Sequence, residues 1–191
     1  DTPPGVRATL EAYLKAKPLP LPTVLRPGAA APGQGSVTAK FGQGALIVEN
    51  AEGKQFRLSW ERKDDSATQP IGLPEGQYLV RGYRVLGTDK EGIPWVLSAS
   101  GHKLASVEVR GGESVTVPID DTVRFSKRWS GSTVSVAVQG TAHAGLSIYR
   151  DGKRIPLRYR LIDATGAPAA EGALEYGGGG GAQASGRPVR D

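Results

Sequence analysis

Cysteine and methionine are both absent from this chain of 191 residues, and Asn50 is its only asparagine. Without cysteine there is no thiolate nucleophile, no thiolate metal site and no redox switch, and no disulfide can staple the fold. None is needed, because a chain of this length buries most of its apolar surface unaided. Methionine is missing even at the first position, where the chain opens Asp1-Thr2-Pro3-Pro4. That opening leads to the expectation of an exported chain whose signal peptide has been removed, the alternative being a chain cut at that point. No stretch approaches the roughly eighteen consecutive apolar residues of a membrane-spanning helix. Scarce Asn, Cys and Met accord with a hot environment, while the excess of Arg over Lys, fifteen to nine, accords equally with a GC-rich genome.

Histidine is nearly absent as well, with only His102 and His143. Neither has an acidic partner at a spacing that would orient it as a general base, and Ser98-Ala99-Ser100-Gly101 is not a nucleophile elbow, so the chain is expected not to be an enzyme. The acidic pairs Asp64-Asp65 and Asp120-Asp121 lie outside any calcium-loop pattern, so no metal is expected. The glycine run 177–181 lacks the Lys and Ser/Thr of a phosphate loop, and no cofactor is expected.

Turn residues and alternating apolar residues are abundant, and they place an all-β chain. Only Val6, Leu10, Tyr13 and Leu14 follow a helical period, after Thr2 and Pro3-Pro4, and Pro18 ends that short helix by Lys17. Pro18, Pro20, Pro22, Pro27 and Pro32 then make residues 18–35 an extended arm. From Ser36 onward the period is two. Residues 45–49 and 56–60 form a hairpin across Ala51-Glu52-Gly53; residues 77–87 and 93–100 form another around Asp89-Lys90-Glu91-Gly92. Val107 and Val109 run into Gly111-Gly112, and Val115, Val117 and Ile119 run out, which predicts a third hairpin with at least one glycine at φ > 0. Val123 and Phe125, then Val134, Val136 and Val138, continue an inward alternation around Ser130-Gly131. Asp151-Gly152 is the strongest hairpin signal in the chain. The expected architecture is immunoglobulin- or transthyretin-like β-sandwich units: residues 1–35 as helix and arm, 36–120 as a first unit, 121–176 as a smaller second one, and 177–191 as a glycine-rich tail.

The run Leu73-Pro74-Glu75-Gly76-Gln77-Tyr78-Leu79-Val80, answered by Val107-Glu108-Val109-Arg110-Gly111-Gly112 and Val115-Thr116-Val117, resembles the carboxypeptidase-regulatory-like or PEGA-type domains of transthyretin-like fold. Residues Tyr159 to Gly166 and Gly172 to Gly177 are similar to the C-terminal strands of secreted bacterial proteins. Together the two likenesses cover about half the chain. They imply a β-sandwich used for binding or spacing, outside the cell or at its surface.

Lys and Arg exceed Asp and Glu by 24 to 19, for a net charge of +5. Much of that excess gathers at Arg150, Lys153, Arg154, Arg158 and Arg160. Arg154, Arg158 and Arg160 are expected on one strand face, with Ile155, Leu157, Tyr159 and Leu161 on the other. Such a stripe is a solvated, charge-protected edge or a contact for an anionic glycan, lipid headgroups or an acidic partner; no nucleic-acid motif accompanies it. Trp60 alternates in phase with Phe56 and Leu58 and belongs to the core, whereas Trp95 and Trp129 are the candidates for stacking a sugar ring.

Two functional classes follow. One is a structural subunit of an extracellular or cell-surface assembly, whose arm or tail adds a strand to a neighbouring subunit. The alternative is an accessory module that binds polysaccharide or another envelope component.

Overall fold

The computed structural model describes residues 21–61, 69–130, 133–173, 175–176 and 182–186. The helix expected near the N-terminus and the glycine run 177–181 lie outside the described residues. Within them the chain is all-β, with one short 3₁₀ turn at Thr141–His143.

The Asn50 side chain accepts the Glu52 and Lys54 N–H groups, and this tight turn joins β3 (Gly44–Asn50) to β4 (Gln55–Trp60). Asp89 does the same for Glu91 and Ile93 between β6 (Gly76–Thr88) and β7 (Pro94–Val109). Asp151 and Gly152, at φ 50° and 70°, make the two-residue turn between β11 (Ser147–Arg150) and β12 (Lys153–Arg154), as their sequence predicts. With β1 (Thr23–Leu25) these strands build a seven-stranded sheet in the order β1-β4-β3-β6-β7-β11-β12. A three-stranded sheet, β5 (Ile71–Pro74), β2 (Gln34–Ala39) and β8 (Ser114–Val117), contributes to the same core. Four strands, β15 (Glu175–Tyr176), β16 (Ala182–Gly186), β10 (Thr133–Gln139) and β9 (Arg124–Ser130), form a third sheet in that order, and β13 (Arg158–Ile162) with β14 (Pro168–Ala173) forms a ribbon.

The core joins these layers. Leu46, Val48 and Leu58 from the large sheet meet Val37, Ile71, Leu73 and Val117 from the small one, and Val138 and Leu146 belong to the same cluster. All seven of the large-sheet and small-sheet residues just named are almost fully buried, and each such side chain contributes roughly 1.5–3 kcal/mol relative to exposure. The β11–β12 hairpin, beyond Asp120-Asp121 in the chain, pairs with β7 in the large sheet.

One irregularity controls the faces of the long hairpin. Val80 pairs with Ala105 and Gly82 with Ser100, so residues 101–104 bulge against the single Arg81. A shift of one residue exchanges the two faces of a strand. Tyr78 and Val80 point inward before the bulge and Tyr83 and Val85 after it, which keeps Arg84 in solvent. The Arg81 guanidinium holds the bulge by donating to the His102 carbonyl and pairing with Glu49.

The third hairpin is corrected. β7 pairs with β6, and β8 pairs in parallel with β2; the chain at 110–113 therefore arches from one sheet to the other. A glycine turn and inward valines suit an arch as well as a hairpin, because both reverse the chain and bury alternate residues. Glu113 N–H closes the turn on the Arg110 carbonyl at 3.1 Å, and Gly112 has φ 76°. Gly112→Val is thus expected to cost about 1–2 kcal/mol, the price of the left-handed region for a residue with a Cβ. Gly111, whose added Cβ would meet the end of the Glu75 side chain at 3.1 Å and otherwise only the Gly33 carbonyl carbon at 4.0 Å, is the more tolerant of the two. Thermal melts of the two single variants check this; equal melting temperatures would contradict it.

A second correction concerns Phe125 and Val123, expected inside. Phe125 is 69% exposed and Val123 37%, while Val136 and Val138 of the partner strand are buried. β9 lies at the sheet's end, where no further layer covers it among the described residues.

Candidate functional site

Exposed charge recognises an anion only where it is not already neutralised, and the cations of the expected basic stripe differ in this. Arg150 reaches across to the β6–β7 turn, where its guanidinium lies 2.7 Å from the Asp89 carboxylate and also binds Glu91. Hydrogen bonds from the Ile93 N–H and from Arg150 hold Asp89 below the usual carboxylate range. Arg154 lies over the Tyr149 ring at 5.5 Å and donates to its hydroxyl at 3.0 Å. Arg160 sits 3.4 Å from Glu171, which is directly opposite in the ribbon. Lys153 and Arg158 are exposed. Nor do the cations share one strand: Arg154 belongs to β12 of the large sheet, and Arg158 and Arg160 to β13. On β13 the expected alternation holds, with Tyr159 and Leu161 half-buried against the core.

Trp95 does not stand free. Its ring covers Gly87, directly opposite on β6, where an added Cβ would fall 2.3 Å from the ring, and it packs half-buried against the core. Trp129 lies on β9 opposite Val134. Trp60 is buried, with its indole N–H donating to the Gln69 carbonyl at 2.8 Å.

The acidic and imidazole groups are held locally. Burial opposes the charge of Asp120, but Thr141 Oγ1 at 2.5 Å and the Thr122 N–H at 3.0 Å donate to it, with Lys40 adding its charge, and the carboxyl stays below its ordinary range. Nearby, burial together with the Asp120 charge pushes the Tyr83 phenol up to about 12, and its hydroxyl has no hydrogen-bond partner among the described residues. His102 faces Arg81 across 2.9 Å, and His143 is exposed on the 3₁₀ turn. Among the described residues no three of His, Asp and Glu converge as a metal ion would require. Asp64-Asp65 lie outside the described residues. No helix among the described residues is long and apolar enough to cross a membrane.

Three further cations without an ion pair among the described residues lie close together on β9, which the stripe did not include. Arg124, Lys127 and Arg128 are exposed there. Their register partners on β10 are Gln139, Val136 and Ser135. β10 and β16 carry no carboxylate, and no described residue forms an ion pair with any of the three. Period-two alternation puts Arg124, Ser126 and Arg128 on one face and Phe125 and Lys127 on the other. The signal is visible in the sequence as a strand with three cations beside a strand with none.

The arm and the tail also find their places. β1, within the proline-rich arm, pairs in parallel with β4 and closes one end of the large sheet, and β16 inserts between β10 and β15. Comparison with protein-family models, with curated proteins and with solved structures finds no match to this chain in any of the three.

Proposed function

We propose that this chain is a non-catalytic, exported β-sandwich module that binds an anionic component of the cell envelope or its surroundings, and that β9 is its contact surface. The observation that carries this reading is the set Arg124, Lys127 and Arg128, exposed on a sheet edge without a carboxylate in β10 beside them or in β16 beyond it. Charges left unpaired in this way hold a potential that an anion lowers. The pairing of Thr23–Leu25 and Ala182–Gly186 within their own chain favours the binding module over an assembly subunit that lends its arm or tail to a neighbour. The likeness to carboxypeptidase-regulatory-like domains supports the same class.

The test is binding of poly-glutamate as a generic polyanion at low and high salt. Exposed charges are screened over about 10 Å at 0.1 M ionic strength, so affinity is expected to fall about tenfold or more between about 0.05 and 0.2 M. Arg124→Glu with Arg128→Glu is expected to abolish binding, and Lys153→Glu with Arg158→Glu to leave it within about twofold. Affinity indifferent to salt, or lost only in the second pair, would defeat the proposal.

A further inference from the structure

Among the described residues, the three larger sheets end on short strands, with one exception. The large sheet ends on β1 and β12, of three and two residues, and the small sheet on β5 and β8, of four each. The third sheet ends on β15, of two residues, and on β9, of seven. An edge strand offers outward N–H and C=O groups at alternate residues, and natural sheets blunt such edges by brevity, bulges, proline or charged side chains. β9 is neither short nor bulged and contains no proline: its seven residues run in register with β10, without a shift, from Thr133↔Ser130 to Gln139↔Arg124. By contrast, the ribbon strand β14 begins with Pro168 and its pairing shifts between Leu161 and Ile162. Its one protection is charge, all of one sign.

That charge decides which strand can pair. A second copy of β9 would set cation against cation, and like charges directly opposite are unfavourable. The chain's own tail brings Arg187 and Arg190 against Asp191, and residues 1–20 bring Arg7, Lys15 and Lys17 against Asp1 and Glu11. Neither is complementary. An acidic strand is, on both of its faces, because Arg124 and Arg128 stand on one face of β9 and Lys127 on the other. Phe125, 69% exposed, adds an apolar contact beside Lys127.

We propose that β9 is a strand-addition site for an extended acidic segment of a partner protein. This deepens the anion-binding reading given above and rests on it. Main-chain hydrogen bonds to an open edge supply affinity, and the side chains opposite supply selection. Antiparallel to β9, the segment places carboxylates opposite Arg128 and Lys127, any residue opposite Ser126, an apolar residue opposite Phe125 and a carboxylate opposite Arg124. Its pattern is acidic-acidic-any-apolar-acidic.

The experiment measures binding of a labelled peptide with the core Thr-Glu-Glu-Thr-Val-Glu-Thr to the full chain. Two further peptides have that sequence with alternate backbone nitrogens methylated, one for each of the two alternations, and a soluble polyuronate serves as competitor. The expected result is loss of affinity of about tenfold or more in one methylated peptide, in the Val→Lys peptide, and in the Arg124→Glu, Arg128→Glu variant with unchanged circular dichroism. Methylated peptides that both bind as well as the parent, all salt-sensitively, would overturn strand addition while the anion-binding surface stands. A polyuronate that binds more tightly than the peptide would make the partner an anionic glycan and likewise overturn the proposal. Binding of neither probe, or binding unaffected by the charge reversal, would overturn both readings together.

Discussion

Trp60→Ala is expected to lower stability by about 3–5 kcal/mol, the range for removing a large aromatic side chain from a packed core. Three observations place Trp60 there. It is 2% exposed, its ring meets Phe41 edge-on at 5.6 Å, and its N–H satisfies the Gln69 carbonyl. Truncation leaves a cavity between the end of β4 and the chain entering β5, and it strips a carbonyl of its donor. Since a domain of this size loses about 2–4 °C per kcal/mol, the melting temperature is expected to fall by about 6–20 °C. Trp60→Phe keeps most of the volume and the contact with Phe41 but not the hydrogen bond, and is expected to cost about 1–2 kcal/mol more than a neutral change. Calorimetry of the two variants separates cavity from hydrogen bond. A Trp60→Ala protein melting within about 2 °C of the parent would place the indole outside the core.

Gly35→Ala is the smallest substitution with a comparable effect. Gly35 lies where β2 threads beside the arch, and a Cβ there would stand 2.4 Å from the Arg110 carbonyl oxygen and 2.7 Å from Val109 Cγ1. The oxygen belongs to the backbone of a turn that is itself bonded to β2, through Ser36 N–H to the Glu113 carbonyl and Gly112 N–H to the Gln34 carbonyl. It cannot move without opening the junction. Overpacking of this kind costs about 1–3 kcal/mol and occasionally more, and the upper end is expected because the obstacle is main chain. Gly28→Ala serves as the control: no atom lies within 4 Å of the added Cβ. It is expected to be neutral or to stabilise by about 0.4–1 kcal/mol through the unfolded state. Equal denaturant midpoints for the two alanine variants would show that β2 does not approach the arch.

The all-β class and four of the five hairpins were legible because each is written locally. Asn50, Asp89 and Asp151-Gly152 fix their turns within a few residues, and alternation fixes which side chains point inward. The arch was not legible, since Gly111-Gly112 reverses the chain whether the flanking valines pair with each other or with strands elsewhere. Which strand is the partner depends on Val37 meeting Val115 and on Thr38 Oγ1 meeting Thr116 Oγ1 at 2.9 Å, contacts that no local pattern encodes. The surroundings of the candidate cations were hidden for a related reason. Arg150 looks like part of a basic stripe until the fold brings Asp89 and Glu91 to it, and a one-dimensional count of cations cannot see that neutralisation. Arg124, Lys127 and Arg128 stay unneutralised because β10 lacks acids, a fact of sequence that acquires meaning only when the two strands are neighbours. Phe125 obeys the inward alternation and is exposed nonetheless, because alternation assigns a face and says nothing about whether a second layer covers it.

The parallel pairing of β2 with β8 also has a consequence in time. The two strands meet across 78 residues of chain, as the Thr38–Thr116 hydrogen bond spans. A ribosome adding about 5–20 residues each second needs about 4–16 s to make that length. Nearby hairpins such as β3 with β4 close within about 1–10 μs once both strands exist. Val37 and Ala39 therefore wait for a partner strand that has not yet been synthesised, beside hairpins that are already complete. Where the chain folds as it is made, the arrival of residues 114–117 sets the pace, and the small sheet is completed only when they emerge.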